Sequence, residues 1–204
     1  MFILKMKYFR YYILLVILII PVILLGQLRD SVHIKTDIYE IMYSEVYQQP
    51  LWIKYRVRCS DGKISRKGLN FYVNDSIVTS DDKDYDNNEY DKGHMAPASD
   101  FNCELNDLKK TFSYLNCALQ QENLNRGVWK SLEVMERKYV KSDVVDIEIK
   151  LVFDKTSKTL NSGAKIPSGF YKTIKLVNSG KVYKYYFPNV KPTNKTLNYY
   201  EIKK

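Results

Sequence analysis

The apolar residues of this chain change period twice, and few folds accept that order. Between Trp52 and Arg58 apolar and charged residues alternate, as in a half-buried strand. From Leu124 the spacing lengthens. Leu124, Val128, Leu132, Met135 and Tyr139 recur every three or four residues, with Glu133, Glu136, Arg137 and Lys138 on other faces, the pattern of an amphipathic helix. Val144–Phe153, Phe170–Leu176 and Lys181–Phe187 then return to alternation. Ser60–Lys63 supplies a turn, and residues 74–91 form an acid-rich polar loop. Strands outnumber helices and bracket the helix, which predicts one α+β domain. With 204 residues, 45% of them apolar, the chain is long enough for a sizeable core, and disordered, collagenous and multi-span membrane classes are excluded.

The first residues stand apart. Lys5, Lys7 and Arg10 precede an apolar run from Ile13 to Leu25 broken only by Pro21. As a helix this run reaches roughly 20 Å, short of the roughly 30 Å hydrocarbon core of a bilayer. A basic start, a short apolar centre and Gly26 read as a secretory signal over residues 1–26, with residues 27–204 as a secreted or periplasmic domain that keeps no stable membrane partner. Leu24 occupies the third position before the cut, where a small residue is favoured. An uncleaved membrane anchor extended through Tyr11 and Tyr12 is therefore the alternative.

The chain carries 32 Lys and Arg against 23 Asp and Glu, and the leader takes only three of the surplus charges with it. The remainder suits a polyanion or an anionic surface without identifying one. Export puts Cys59, Cys103 and Cys117 in an oxidising compartment. A bridge between Cys103 and Cys117 would leave Cys59 over; three unpaired thiols, two of them buried, is the other reading.

His33 and His94 are the only histidines, so any histidine mechanism rests on one of them. His33 lacks a motif and reads as a surface residue. His94 closes Asp91-Lys-Gly-His94, where Gly93 lets the backbone turn and leaves the imidazole unobstructed. A largely neutral imidazole can take a proton from water. Asn125 stands where the helical pattern begins, a place that suits an N-cap. Glu133 follows eight residues later, roughly 80° around the helix, so both can border one cleft. An amide oxygen, a carboxylate and a histidine make a hard-oxygen site with a base beside it, which suits magnesium that keeps most of its waters. Trp129 reads as core, and Lys191–Lys204 as a basic, solvated end.

These residues carry a family resemblance. Asp91 to Pro97 reads Asp-x-Gly-His-x-Ala-Pro, Asn116 is followed four residues later by Gln120, and Leu124 to Glu133 reads Leu-Asn-x-Gly-x-Trp-x-x-Leu-Glu. In this order and spacing they resemble the DNA/RNA non-specific endonucleases, the ββα-metal nucleases of the Asp-Arg-Gly-His type. Tyr43–Arg58 resembles the family's first strand, Asn70, Phe71 and Asp75 its loop before the motif, and Ile166–Lys172 its later Pro-x-x-Phe-x-Lys strand.

The resemblance implies a ββα-metal fold, a mainly antiparallel sheet flanked by helices, and hydrolysis of DNA and RNA to 5′-phosphate ends. It implies His94 as general base, Asn125 as the one protein ligand of hydrated Mg2+ (with Mn2+ as the alternative ion), Glu133 as holder of metal-bound water, and Asn116 as an amide that positions His94 and the phosphate. Arg66 and Arg126 are the expected substrate-binding arginines. Lys92 stands where the family usually has arginine; it keeps the charge and loses the bidentate grip on phosphate. That departure leaves a catalytically weak nucleic-acid-binding relative as the alternative. Leu119 replaces the family's usual proline and bears on loop shape. An inhibitor protein or a dimer partner is not readable from the sequence.

Overall fold

The computed structural model describes residues 28–203, so the proposed leader lies outside the described residues. Eight strands form in chain order: β1 (Val32–Lys35), β2 (Tyr39–Ser44), β3 (Gln49–Arg56), β4 (Tyr90–His94), β5 (Cys117–Gln121), β6 (Val145–Val152), β7 (Gly169–Leu176) and β8 (Val182–Pro188). Six of them make one antiparallel sheet in the order β1-β2-β3-β6-β7-β8, and β4 pairs with β5 in a separate antiparallel ribbon. The segment from Tyr43 to Arg58 is the end of one strand, a turn and the whole of the next, because Gln48 takes a φ of +51° and reverses the chain.

The helices are α1 (Leu105–Lys110), α2 (Glu122–Leu124), α3 (Lys130–Tyr139) and α4 (Leu197–Tyr200). Between α2 and α3 lies a π-helical turn, Asn125–Trp129, kinked at Gly127. Such bulges recur at functional sites. The first helical residue lies upstream of the expected start. Gln121 is the N-cap, its side chain accepting from Leu124 N, while Asn125 has helical dihedrals. Asn125 is thus free of capping duty.

Period-two burial decides how the layers meet. Ile41, Ile53, Ile147, Ile149, Phe170, Ile174 and Phe187 point to one face of the large sheet and pack against Leu124, Val128, Trp129 and Leu132 of the helical run. Trp129 is fully buried, its ring centroid 5.5 Å from both Phe170 and Phe187. This burial makes the helix a rigid shelf whose opposite edge is open. Residues 191–203 are largely exposed, as expected, but are tied down at one point, where Tyr200 stacks on Phe187 at 4.8 Å and joins α4 to the sheet.

Cys59 is bridged to Cys103, and Cys117 is a buried thiol on β5, which corrects the expected Cys103–Cys117 pairing and its all-thiol alternative. Cys117 faces His94 in the β4–β5 ribbon and is fully enclosed, out of reach of the exposed Cys103 loop. The bridge spans 44 residues of sequence. In the chain-entropy view a loop of that length stabilises by about 4 kcal/mol.

Candidate active site

β4 carries the first half of the site. Its alternation sends Lys92 and His94 to one side and Asp91 and Gly93 to the other. Gly93 sits within the ribbon opposite Ala118 and makes no turn; a Cβ there would lie 2.5 Å from Gln120 Oε1 and 2.6 Å from Gln120 Cβ. Close strand approach, and not a bend, demands the glycine.

The His94 ring lies 4.8 Å from Phe71 and 5.0 Å from Phe112, and its Nε2 is buried without a hydrogen-bond partner. Burial, with the nearby charge of Arg66 adding to it, pushes the imidazole down to about 3, so the ring is neutral in the physiological range. On the same side of the strand, the Lys92 ammonium sits 5.5, 5.9 and 5.7 Å from the ring centroids of Phe71, Tyr85 and Tyr114 and pairs with Asp82. Lysine here is enclosed by aromatic faces, which favour a cation.

The helical run carries the second half. Asn125 Nδ2 donates to Asp91 Oδ2 at 2.9 Å. A carboxylate only accepts, so this bond fixes the amide nitrogen toward Asp91 and turns Oδ1 away as an uncommitted oxygen. Asp91 is held in turn by Arg126, at 2.9 Å from Nε and 2.6 Å from Nη2. One turn on, Lys130 and Glu133 face the same space, and burial raises the Glu133 carboxyl against the pull of Lys172 and Arg137.

Together the two halves enclose a cleft of about 900 Å³ that also receives Arg66, Phe71, Phe112 and Arg137. Five basic side chains line it against two acidic ones, a balance that attracts a polyanion. Of the expected site residues, His94, Lys92, Arg66, Asn125, Arg126 and Glu133 all reach this cleft.

Asn116 does not. Its Oδ1 accepts from Ala96 N at 2.7 Å, and its Nδ2 donates to the carbonyls of Ala96 and Thr111 at 2.8 Å each. The fully buried amide clamps the chain just past His94, and its nitrogen has no hydrogen left for a phosphate. Arg126 reaches the cleft with its charge already matched by Asp91 and by Glu122 at 3.2 Å. His33 is a half-exposed residue of edge strand β1, 2.7 Å from Glu40.

Asp91, Lys130 and Arg137 line the cleft in addition to the residues expected from the sequence. The Arg137 signal was present, since it lies four residues after Glu133 and shares its helix face. The Asp91–Asn125 bond spans 34 residues and left no local trace.

Among the described residues no group of three or more His, Cys, Asp or Glu side chains could hold a metal. The donor set fits a different kind of site: one free amide oxygen with carboxylates nearby, suited to a hydrated magnesium ion that takes few protein ligands.

A family model described as DNA/RNA non-specific endonuclease matches residues 23–203. The chain is 27% identical over 99 residues to the mitochondrial nuclease EXOG of Danio rerio, covering 46% of this chain and 29% of that protein. It is 27% identical over 104 residues to the mitochondrial endonuclease G of Bos taurus, covering 48% and 35%. The matches thus span about a third or less of these relatives' length. The structure resembles that of EndoG in a complex with EndoGI, with a TM-score of 0.72, 22% identity and coverage of 87% of this chain and 81% of the other. At that identity the likeness shows the fold, an α+β ββα-metal arrangement of β4, β5 and the helical run beside an antiparallel sheet.

Proposed function

The chain belongs to the DNA/RNA non-specific endonuclease family, and from that premise we propose that it hydrolyses internal phosphodiester bonds of DNA and RNA with little sequence preference, leaving 5′-phosphate and 3′-hydroxyl ends. The observation that carries this reading is the meeting, in one basic cleft, of a neutral His94 and an Asn125 whose Oδ1 is turned free by Asp91.

His94 takes a proton from the attacking water. A bound phosphate diester brings negative charge to Arg66, offsets one of the two causes that depress the basicity of His94 and strengthens the base. Phe71 and Phe112 keep bulk water off the ring. Arg66 and Lys92 hold phosphate oxygens, contacts that carry affinity without reading bases, while Arg137, already matched by Asp100, borders the cleft. Glu133 orients water across the cleft from His94. Asn125 would hold a hydrated magnesium or manganese ion through Oδ1, which would supply positive charge to the phosphate and the departing 3′ oxygen. Lys92 keeps one point charge where arginine would offer a fork, which favours looser phosphate orientation over loss of activity.

Supercoiled plasmid and single-stranded RNA, incubated with magnesium or with excess chelator, test this reading. Both substrates should be degraded only with magnesium, the ends should carry 5′-phosphate, and His94→Ala should lose activity. Plasmid that is bound and never nicked would favour the binding-only alternative, with Lys92→Arg as the variant to restore cutting.

Export of the chain is part of the proposal, supported by the leader sequence and by the Cys59–Cys103 bridge, which suits an oxidising compartment. N-terminal sequencing of protein recovered outside the cytoplasm should begin at Gln27; protein retained in the membrane fraction would overturn cleavage.

A further inference from the structure

A second groove, of about 630 Å³, opens on the outer edge of the helical run and shares Arg126 and Lys130 with the catalytic cleft. Its far wall is the segment after β8, which contributes Lys191 and Lys195. No acidic side chain lines it. Arg126 is matched by Asp91 and Glu122, but among the described residues Lys130, Lys191 and Lys195 have no carboxylate within 4.0 Å. Three unpaired ammonium groups thus surround one trench, Lys130 from the helix and Lys191 and Lys195 from a segment whose end is anchored by Tyr200 on Phe187. The floor is also cleared. Gly127, at the kink of the π-helical turn, leaves open space where a Cβ would stand, so a polymer can pass close to the backbone there.

We propose that this groove carries the nucleic-acid strand as it leaves the cleft, with Lys130, Lys191 and Lys195 against successive phosphates. The proposal rests on the nuclease reading and names where its substrate runs beyond the scissile bond. Continuity through Lys130 and an all-positive lining argue for a phosphodiester backbone as the occupant.

The test separates the groove from the chemistry. A labelled single-stranded oligonucleotide long enough to leave the cleft is titrated, in chelator so that nothing is cut, against wild-type protein, K191A/K195A and K191R/K195R at several salt concentrations. The alanine pair should flatten the slope of log K against log salt by about 0.7 per lysine on single strands, or about 0.9 on duplex, and the arginine pair should keep it. With magnesium, KM for plasmid should rise about five- to tenfold in the alanine pair with kcat unchanged, while turnover of a dinucleotide, too short to reach the groove, should match wild type. An unchanged slope would overturn the proposal and leave the groove to an acidic protein partner; equal losses on plasmid and dinucleotide would overturn it as damage to the cleft. Wild-type protein that shows the expected slope yet never cuts supports the groove while sinking the nuclease reading.

Discussion

Two of the buried polar clusters in this domain meet burial with different partners. In the cleft, His94 is walled by Phe71 and Phe112, has no partner for Nε2, and is driven to its neutral form. Behind α3, Lys172 and Glu136 are both fully buried 2.9 Å apart, Lys172 lies 4.6 Å over the Trp129 ring, and Asp100 accepts from Arg137 at 2.8 Å. There each charge has an opposite beside it, although burial still pushes the Asp100 and Glu136 carboxyls up. Burial disfavours the charged form in both clusters, but His94 has no partner to offset it, whereas the carboxyls behind α3 face Lys172 and Arg137, which pull against it.

Removing the proposed base should have the largest effect. His94→Ala is expected to lower kcat on plasmid by about 10²- to 10⁴-fold while the protein stays folded by circular dichroism. Comparable loss in His33→Phe, which alters only the surface histidine, would break the assignment of the base.

Next comes the cluster behind α3. Lys172→Met leaves Glu136 buried and unpaired, and should destabilise by about 3–5 kcal/mol in urea unfolding. Lys172→Met with Glu136→Leu should recover much of that, because an apolar pair of similar volume carries no stranded charge. A double variant as weak as the single would mean that the pair itself holds the sheet to the helix.

The two clusters should also answer pH with opposite signs. His94 is held below its ordinary value of 6.5, so the unfolded chain binds the proton more readily, and stability present above about 6.5 is lost as pH falls toward about 3. Asp100 and Glu136 are pushed up, so the fold binds their protons more readily and stability rises as pH falls from neutrality toward the ordinary carboxylate range. Thermal melts of wild type and His94→Ala should therefore converge as the medium is acidified, since the variant lacks the histidine loss. Parallel curves would contradict a neutral His94.

Smaller effects concern Asp91 and Lys92. Asp91→Ala frees the Asn125 amide to rotate and should weaken metal affinity by about 10- to 100-fold, read by the magnesium dependence of cleavage. Lys92→Arg meets the Phe71, Tyr85 and Tyr114 rings with a wider group and should shift KM by only about two- to fivefold.

Much of this molecule was legible in one dimension. β3, β6, β7 and β8 follow alternations visible in the sequence, and Leu124, Val128 and Leu132 turn inward as their spacing predicts. The order of His94, Asn125 and Glu133 marked the cleft they share. Period is a local property, set by backbone geometry within a strand or a turn of helix, so the sequence by itself determined these strands and the helical run, while the short β1, β4, β5 and α1 carried no such signal. The partners were decided elsewhere. Cys59 found Cys103, Asp91 fixed Asn125, Asn116 was consumed by Ala96 and Thr111, and Lys172 met Glu136 in the core. Apart from the short reach of Asn116 to Thr111, each of those pairs joins residues 20 or more positions apart, brought together only once the sheet and the helical shelf had packed. Burial then set which charges survived, and burial is a property of the packed fold.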